Sequence, residues 1–260
     1  MTYNQILAEV KEDILYITIN REQKLNALNK EVLTELADVI AFAKQSDEVR
    51  GVLLTGAGEK AFVAGADISE FQNYNLEEGE GLARSGQTNV FDAIANCPKP
   101  FVAAINGFAL GGGLELAMAC HIRVASDNAK MGLPEVSLGV IPGYGGTQRL
   151  PQLIGKGRAL EMILSAAMVD ANEAYRTGLV NHVVAQDELL SFCNEIAQKI
   201  IKNSPTAIKM AINAVNANYK EGVNGFETEI KSFGKCFGTV DFKEGTQAFL
   251  EKRKAVFTGE

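Results

Sequence analysis

Residues 107–120 read GFALGGGLELAMAC, in which three consecutive glycines precede Glu115 and a run of strong helix formers. The glycines allow tight turning and the close approach of another group to the backbone. A helix that opens near Gly112 would present unpaired N–H groups and partial positive charge, which can hold an oxyanion. A plain strand-to-helix turn fits equally well, with Glu115 merely complementing the helix dipole. This stretch is therefore compatible with both an oxyanion site and a plain turn, and the rest of the sequence must distinguish them.

Strands flank the glycine stretch at residues 101–105 and 122–125. Towards the N-terminus, the β-branched run ILYITI (14–19) predicts a strand that pairs with residues 6–10, and GVLLT (51–55) predicts another. Apolar residues recur at helical spacing from Glu31, with Asn29 placed to cap that helix, and residues 80–96 are also helical in character. Strands separated by helices imply crossover units, so the predicted fold class is α/β.

After Gly143 the pattern changes to helices. The predicted helices cover residues 147–154, 158–165, 171–177, 188–203, 205–219 and 242–254. Ile208, Met210, Ala211 and Val215 form an apolar stripe with little chain left to cover it, which favours docking on a partner subunit. We expect an active-site core over residues 1–200, an oligomerisation region over residues 201–260, and a homo-oligomer.

Composition narrows the function classes. The 260 residues carry a formal charge of -7, with 47% hydrophobic and 22% charged residues, which is typical of a soluble globular protein and argues against a nucleic-acid-binding surface. The N-terminus lacks the pattern of a signal peptide, and no apolar run is long enough for a membrane span. Four cysteines without C-x-x-C spacing suit reduced thiols, so a cytoplasmic location is expected.

Several cofactor and nucleophile motifs are weak or absent. GAGEKA (56–61) spells a dinucleotide fingerprint, but the strand and turn formers FVAGAD follow where a helix should begin. No G-x-S-x-G elbow occurs, and with two histidines in the chain a packed structural role for His121 is favoured over metal binding. We therefore predict no metal and no cofactor.

Two further segments place acidic residues in unusual settings. AFVAGADI (61–68) is a second glycine-rich turn beside an acidic residue, and MGLPEVSLGVIPGYGGTQRL (131–150) surrounds Glu135 with apolar neighbours. A low-dielectric setting would raise the pKa of Glu135 and let it hold a proton. An exposed turn glutamate is equally compatible with the nearby proline and glycines.

Taken together, AFVAGADISEF, INGFALGGGLELAMACHIRVAS and PEVSLGVIPGYGGTQRL resemble the signature blocks of the crotonase, or enoyl-CoA hydratase/isomerase, family. The resemblance extends from TINREQKLNALN near the N-terminus to FKEGTQAFLEKRKAVF near the C-terminus. It implies a spiral of ββα units followed by a helical C-terminal trimerisation region. It also implies a homotrimer or a homohexamer built as a dimer of trimers.

The same resemblance implies roles for individual residues. The amides of Ala66 and Gly112 would form an oxyanion hole for a thioester carbonyl. Glu115 would deprotonate water and aim it at C3 of a 2-trans-enoyl-CoA, and Glu135 would deliver a proton to C2 in a syn addition. The Gly143 amide would help to orient the water and the carboxylate.

Binding of the substrate's CoA moiety is likewise implied by resemblance. Coenzyme A would lie along two loops and receive contacts from the helical tail, so an acyl-CoA is the expected substrate. The residues implied are Lys24, Ala27, Leu28, Ala64, Asp67, Ile68, Phe233 and Lys252. Lys252 would meet a CoA phosphate as a point charge, although it also belongs to a basic run that could be a solvated helix face.

Two departures leave the acyl group open. Leu133 stands where many short-chain hydratases have glutamine, as in methylglutaconyl-CoA-type hydratases, and His121 stands where aspartate is frequent. Isomerases of the family commonly keep only the later carboxylate, so Glu115 favours a hydratase, a hydro-lyase of the short-chain enoyl-CoA type. A non-catalytic acyl-CoA-binding or RNA-binding relative is the alternative from another class.

Overall fold

The computed structural model describes residues 2–260. Its N-terminal part matches the pattern predicted from the sequence. Strand β1 (Ile6–Lys11) pairs antiparallel with β2 (Ile14–Ile19). Helix α1 (Lys30–Gln45) follows, and the Asn29 side chain accepts a hydrogen bond from the Val32 amide, as its predicted capping role requires. The buried strand β3 (Gly51–Gly56) then continues the sheet in parallel with β2.

The middle of the chain repeats one unit of two strands and a helical segment. The first unit is β3 with β4 (Ala61–Val63), α2 (Leu76–Gly86), a π-helical turn over Gln87–Phe91 and α3 (Asp92–Ala95). The second unit is β5 (Phe101–Ile105), β6 (Phe108–Leu110) and α4 (Gly112–Ala119), and the third begins with β7 (Ile122–Ser126) and β8 (Lys130–Gly132).

The two strands of each unit belong to different sheets. The first sheet has six strands in the order β1-β2-β3-β5-β7-β10, and the second has four in the order β4-β6-β8-β9. Strands β3, β5 and β7 are parallel neighbours, and so are β4, β6 and β8. Successive units therefore advance by one strand in both sheets, which makes the spiral of ββα units that was expected.

Helices dominate the rest of the chain. They are α5 (Gly146–Ile154), α6 (Lys156–Ser165), α7 (Ala171–Thr177), α8 (Leu189–Ile201), α9 (Pro205–Ala217), α10 (Gly225–Cys236) and α11 (Val240–Glu251). Two short strands interrupt them, β9 (Met168–Asp170) and β10 (His182–Val184). Helix α10 packs against α9. The helical C-terminal region is confirmed, whereas the division at residue 200 stays a prediction.

Three details differ from the sequence-based expectation. The helical stretch predicted over residues 80–96 is broken into α2, the π-helical turn and α3. Helix α10 was not predicted, because Gly225, Gly234 and its polar positions weaken the apolar pattern. The second sheet was also missed, since strands of three residues are too short to show a period of two.

Two apolar clusters hold these layers together. The larger lies between the two sheets and α1, and includes Leu36, Phe62, Phe91 and Leu116. The smaller lies on the outer face of the first sheet, where Leu53 and Val102 pack with Cys193 and Ala197 of α8. Within residues 2–260, no helix has the length and apolar character needed to cross a bilayer.

Candidate active site

The second sheet brings three of the predicted site residues to one edge. Ala66, Gly112 and Glu135 each follow a strand of this sheet within three residues, after β4, β6 and β8 respectively. These strands are parallel neighbours, so their carboxyl ends meet. The short strands absent from the sequence-based prediction are thus the elements that assemble the site.

Close backbone contact requires glycine where α4 meets β4. A Cβ atom on Gly113 would lie 2.0 Å from the Val63 carbonyl oxygen, so only glycine lets α4 start directly on the end of that strand. A Cβ on Gly65 would lie 3.7 Å from the Leu110 carbonyl oxygen. The turn after β4 and the start of α4 are therefore neighbours.

Two backbone N–H groups in these turns lack acceptors. Leu28 forms a parallel bridge with Ala66, in which the Leu28 amide donates to Gly65 and the Leu28 carbonyl accepts from Asp67. That pattern turns the N–H of Ala66 away from Leu28, and it donates to no acceptor within residues 2–260. Gly112 is the first residue of α4, so its N–H has no acceptor inside the helix. Both amides can donate to an external oxygen.

Glu115 lies in the first turn of α4 and is almost completely buried. Its Oε1 accepts two backbone hydrogen bonds, from Tyr144 at 2.8 Å and from Gly146 at 2.7 Å. Burial raises the pKa of Glu115 to about 7, and the negative charge of Glu135 adds to that rise. The two amides and the positive charge of Arg149 oppose it. Glu115 can therefore exchange a proton near neutral pH.

Glu135 begins the short 3-10 helix Glu135–Leu138 after Pro134. Its Oε2 is buried and has no hydrogen-bond partner within residues 2–260, and burial raises its pKa. A Cβ on Gly111 would lie 2.7 Å from Glu135 Oε1, and the φ of Gly111 is 50°. Gly111 is thus required both by its backbone and by the carboxyl that packs on it.

The amides that hold Glu115 differ from the predicted one. The hydrogen bonds come from Tyr144 and Gly146, on either side of Gly145, and none joins Gly143 to Glu115. The role of Gly143 towards water stays a prediction. Leu133, the departure noted in the sequence, is fully buried, and its Cδ1 would lie 3.0 Å from a Cβ on Gly146. Leu133 is therefore part of the apolar surroundings of Glu115.

The two loops predicted to bind CoA are joined to each other. The Leu25 carbonyl accepts from Ala64 at 3.0 Å, the Leu28 amide donates to Gly65 at 2.9 Å, and the Leu28 carbonyl accepts from Asp67 at 2.7 Å. Residues 24–28 and 64–68 thus form one surface, which includes Lys24, Ala27 and Ile68, and Ile68 is half exposed. Contact with CoA stays a prediction.

Two residues that sequence reasoning missed hold this surface. The Asn26 side chain is buried; it accepts from the Arg21 amide and donates to the Ala57 and Ala61 carbonyls. The Arg21 guanidinium donates to the Ala27 carbonyl and pairs with Asp67 at 3.1 Å. The hydrogen bond from Ser69 and the pairing with Arg21 lower the pKa of Asp67. Asn26 has a φ of 57°, a conformation that asparagine tolerates, but its sequence context carries no signal for burial.

Phe233 and Lys252, the two predicted CoA contacts from the C-terminal helices, lie outside the pair of joined loops. Phe233 lies on α10, where its ring packs against Phe237 at a centroid distance of 5.0 Å. Lys252 follows α11 and is exposed. No hydrogen bond or ion pair within residues 2–260 joins either residue to residues 24–28 or 64–68.

His121 has the structural role that was expected. Its Nδ1 accepts a 2.9 Å hydrogen bond from the Phe101 amide, and burial lowers its pKa to about 4, so the ring is neutral at physiological pH. No group of three or more His, Cys, Asp or Glu side chains arranged for a metal ion occurs within residues 2–260.

Two amides that lack acceptors within residues 2–260, the buried Glu115 and the half-buried Glu135 together suit one kind of chemistry. The amides can hold an oxygen on which negative charge develops, while the carboxyls give and take protons next to it. Such an arrangement in a spiral of ββα units suits an enzyme that acts on an activated acyl group, whose carbonyl oxygen gains negative charge as it reacts.

Comparison with known proteins agrees with this class. The family model described as enoyl-CoA hydratase/isomerase matches residues 9–260. The chain is 48% identical over 257 residues to a short-chain-enoyl-CoA hydratase of Clostridium acetobutylicum, covering 98% of this chain and 97% of that protein. It is 45% identical over 258 residues to a crotonyl-CoA hydratase of Syntrophomonas wolfei, covering 99% of each.

A solved structure shows the same fold. The crystal structure of an enoyl-CoA hydratase from Bacillus anthracis superposes with a TM-score of 0.93 at 40% identity, covering 99% of this chain and 100% of that one. The chain belongs to the enoyl-CoA hydratase/isomerase family.

Proposed function

We propose that this protein is an enoyl-CoA hydratase, which adds water in syn geometry to a 2-trans-enoyl-CoA and yields a 3-hydroxyacyl-CoA. The observation that carries the proposal is the Glu115 carboxylate, buried, oriented by two amides and electrostatically coupled to Glu135. An isomerase needs one carboxyl to move a proton between carbons, whereas hydration needs a second group to activate water. The names of the relatives from C. acetobutylicum and S. wolfei support the same reaction.

The proposed reaction adds the elements of water across the C2–C3 bond, with one proton passing to Glu115 and one coming from Glu135. Glu115 takes a proton from water as the water oxygen bonds to C3 of the substrate. The electrons of the C2–C3 double bond move towards the thioester, and charge develops on its carbonyl oxygen. The amides of Ala66 and Gly112 hold that oxygen, and each such donor is worth on the order of 10²- to 10³-fold in rate. Glu135 then gives its proton to C2, and exchange with solvent restores both carboxyls.

Burial raises the pKa of both carboxyls, but their hydrogen-bond partners differ and favour different roles. Oε1 of Glu115 receives two N–H donors, and hydrogen bonds to a charged form favour that form. Oε2 of Glu135 is buried and has no hydrogen-bond partner in the described part of the chain, a setting that favours the neutral acid. Each ionised carboxylate also disfavours ionisation of the other. We therefore assign Glu115 as the base and Glu135 as the acid at neutral pH.

The proposal includes the binding of CoA and the assembly of the protein. The joined surface of residues 24–28 and 64–68 would hold the CoA moiety, with Phe233 and Lys252 contributing from the tail and Gly143 helping to place the water. The exposed apolar residues of α10 and α11 support assembly into a trimer or hexamer; they include Phe226, Ile230, Phe249 and Leu250. A location in the cytoplasm is part of the same proposal.

Hydration of crotonyl-CoA, followed as loss of the enoyl-thioester absorbance, tests the function directly. We expect Glu115→Gln and Glu135→Gln each to lower kcat by about 10²- to 10⁴-fold, the range of general acid–base catalysis. The exposed Glu221 provides a matched control, and Glu221→Gln should leave the rate unchanged. Absence of wild-type activity on C4, C6, C10 and methyl-branched enoyl-CoAs would overturn the proposal. Full activity of Glu115→Gln would remove the assigned base.

A further inference from the structure

Arg149 connects the Glu115 site to the opposite side of the loop over residues 144–146. It lies in the first turn of α5, and its side chain is 16% exposed. Nη1 donates to the Tyr144 carbonyl at 2.9 Å, and Nη2 pairs with Asp92 Oδ1 at 2.5 Å. Asp92 is the first residue of α3, directly after the π-helical turn. Arg149 therefore joins α3, the loop and α5.

The loop is held on both of its faces. On one face, the amides of Tyr144 and Gly146 donate to Glu115. On the other face, the Tyr144 carbonyl accepts from Arg149. The peptide that follows Tyr144 thus has its carbonyl oxygen fixed by a cation, and this limits rotation of the two amides that orient Glu115. A guanidinium suits the position because its planar fork reaches two partners at once.

Gly145 shows how closely the guanidinium packs on the loop. Its φ is 97°, and a Cβ on this residue would lie 2.2 Å from Arg149 Nη1. Any other residue would adopt this positive φ unfavourably and would displace either the guanidinium or the loop. The loop conformation and the position of Arg149 are therefore specified together.

The charge of Arg149 also acts on the site. Burial and the charge of Glu135 raise the pKa of Glu115, while the amides of Gly146 and Tyr144 and, to a smaller extent, the charge of Arg149 lower it. Tyr144 faces Glu115 from the loop, and Asp92 offsets part of the Arg149 charge from α3. The charge of Arg149 therefore favours the ionised form of Glu115 in addition to the two amides.

We propose that Arg149 is a positioning residue for hydration, which fixes the loop over residues 144–146 and so keeps Glu115 aimed, and that Asp92 orients Arg149 for this role. The inference rests on the assignment of Glu115 as the base. It adds two residues that touch neither substrate nor reacting atoms, and it predicts opposite effects of their two charges.

The test measures kcat, KM and the pH profile of kcat/KM with crotonyl-CoA for four single variants and one double variant. Arg149→Met removes the charge and both donors while keeping an extended side chain. Arg149→Lys keeps the charge but loses the fork, and Asp92→Asn removes only the acidic partner. Arg158→Met, at an exposed position of α6, is the matched control. The double variant combines Asp92→Asn with Arg149→Met, and melting curves check folding throughout.

For Arg149→Met we expect kcat to fall by about 10- to 100-fold with a smaller change in KM, because displacement of a catalytic group lowers the rate more than binding. The acidic limb of its kcat/KM profile should move to higher pH, since a nearby cation is lost. Arg149→Lys should lower kcat yet keep the acidic limb near that of the wild type. Asp92→Asn should move the acidic limb of the kcat/KM profile to lower pH, because the negative charge that offsets Arg149 is then lost. The double variant should match Arg149→Met within about twofold, as expected for residues that act in one chain.

Two outcomes would overturn the inference. One is an Arg149→Met enzyme with a wild-type kcat and acidic limb and only a lowered melting temperature. The other is additive loss of kcat in the double variant. If Arg149→Met does not fold, Arg149→Lys and Asp92→Asn decide, because their acidic limbs must differ in the stated way. An active wild type with an inactive Glu115→Gln variant would leave the proposed function intact even if this inference failed.

Discussion

The Oε1 atom of Glu115 lies 2.7 Å from the amide nitrogen of Gly146, the first residue of α5. The N–H at the start of α5, which has no acceptor within its own helix, thus orients a carboxylate on another helix, α4. The contact leaves little room, since a Cβ on Gly146 would lie 2.9 Å from the same oxygen. Residue 146 therefore sets the distance between α5 and the proposed base.

The substitution Gly146→Ala tests this distance. The added methyl would also lie 2.9 Å from Pro142 Cβ and 3.0 Å from Leu133 Cδ1, so neither side can yield freely. We expect kcat on crotonyl-CoA to fall by about 10²-fold, because Glu115 must move from its aimed position. The control is Gly157→Ala in α6, where a Cβ meets nothing within 4 Å. Equal rates for the two variants would contradict the role given to this contact.

Glu115 should make stability depend on pH. Its pKa is about 7 in the folded protein and about 4.3 in an unfolded chain, so between these values only the folded state keeps the proton. The stabilising effect is complete below about pH 4.3 and is lost as the pH rises towards 7. Glu115→Gln removes this dependence.

Melting temperatures at two pH values measure that effect. The gain in melting temperature of Glu115→Gln over the wild type should be a few degrees larger at pH 8 than at pH 5. Glu221→Gln serves as the exposed control and should show the same small difference at both values. A gain for Glu115→Gln that is greater at pH 5 would have the wrong sign for a buried carboxyl with a raised pKa.

Asn26 should be required for the predicted CoA surface. The Nδ2 atom of its side chain donates to the carbonyl oxygens of Ala57 and Ala61 at 2.9 and 2.7 Å, and this side chain is buried. Asn26→Asp replaces both donors with acceptors, so two carbonyls face a carboxyl, at a cost of about 2 kcal/mol or more. We expect a lower melting temperature and a raised KM for crotonyl-CoA. Asn89→Asp, at an exposed position, should change neither quantity.

The C-terminal helices should carry the assembly contacts. Phe249 and Leu250 of α11 are 83% and 79% exposed, which is unfavourable unless another subunit covers them. The double substitution Phe249→Glu with Leu250→Glu should shift the mass measured by light scattering towards the monomer. Leu7→Glu in β1, also at an exposed apolar position, should leave the mass unchanged. A monomeric wild type would refute the proposed assembly.

Much of the fold could be predicted because its first sheet follows simple rules. The run ILYITI gave β2 with its observed bounds, and Asn29 caps α1 as its position indicated. The second sheet was not predicted from the sequence pattern, because β4, β6 and β8 have three residues each and pair with strands that are distant in sequence. Tertiary context, more than local propensity, decides such strands.

The same distinction between local sequence and tertiary context applies to the residues of the candidate site. Glu115, Glu135 and the glycine turns could be found because a carboxyl among apolar residues or glycines is unusual in a sequence. Arg149, Asp92 and Asn26 could not, because each acts through a partner far along the chain. Arg149 and Asp92 are 57 residues apart, and Asn26 reaches a carbonyl 35 residues away. An isolated arginine or asparagine looks like any other polar residue until its partners are placed.

Helix α8 has a consequence for the order in which the chain can fold during synthesis. It alone supplies Leu189, Cys193, Ala197 and Ile201 to the smaller apolar cluster, and the Tyr16 hydroxyl donates to Asn194, 178 residues away. Until α8 leaves the ribosome, the outer face of the first sheet stays uncovered. At about 5 to 20 residues per second, that exposure lasts on the order of ten seconds or more, a period in which chaperones can bind the nascent sheet.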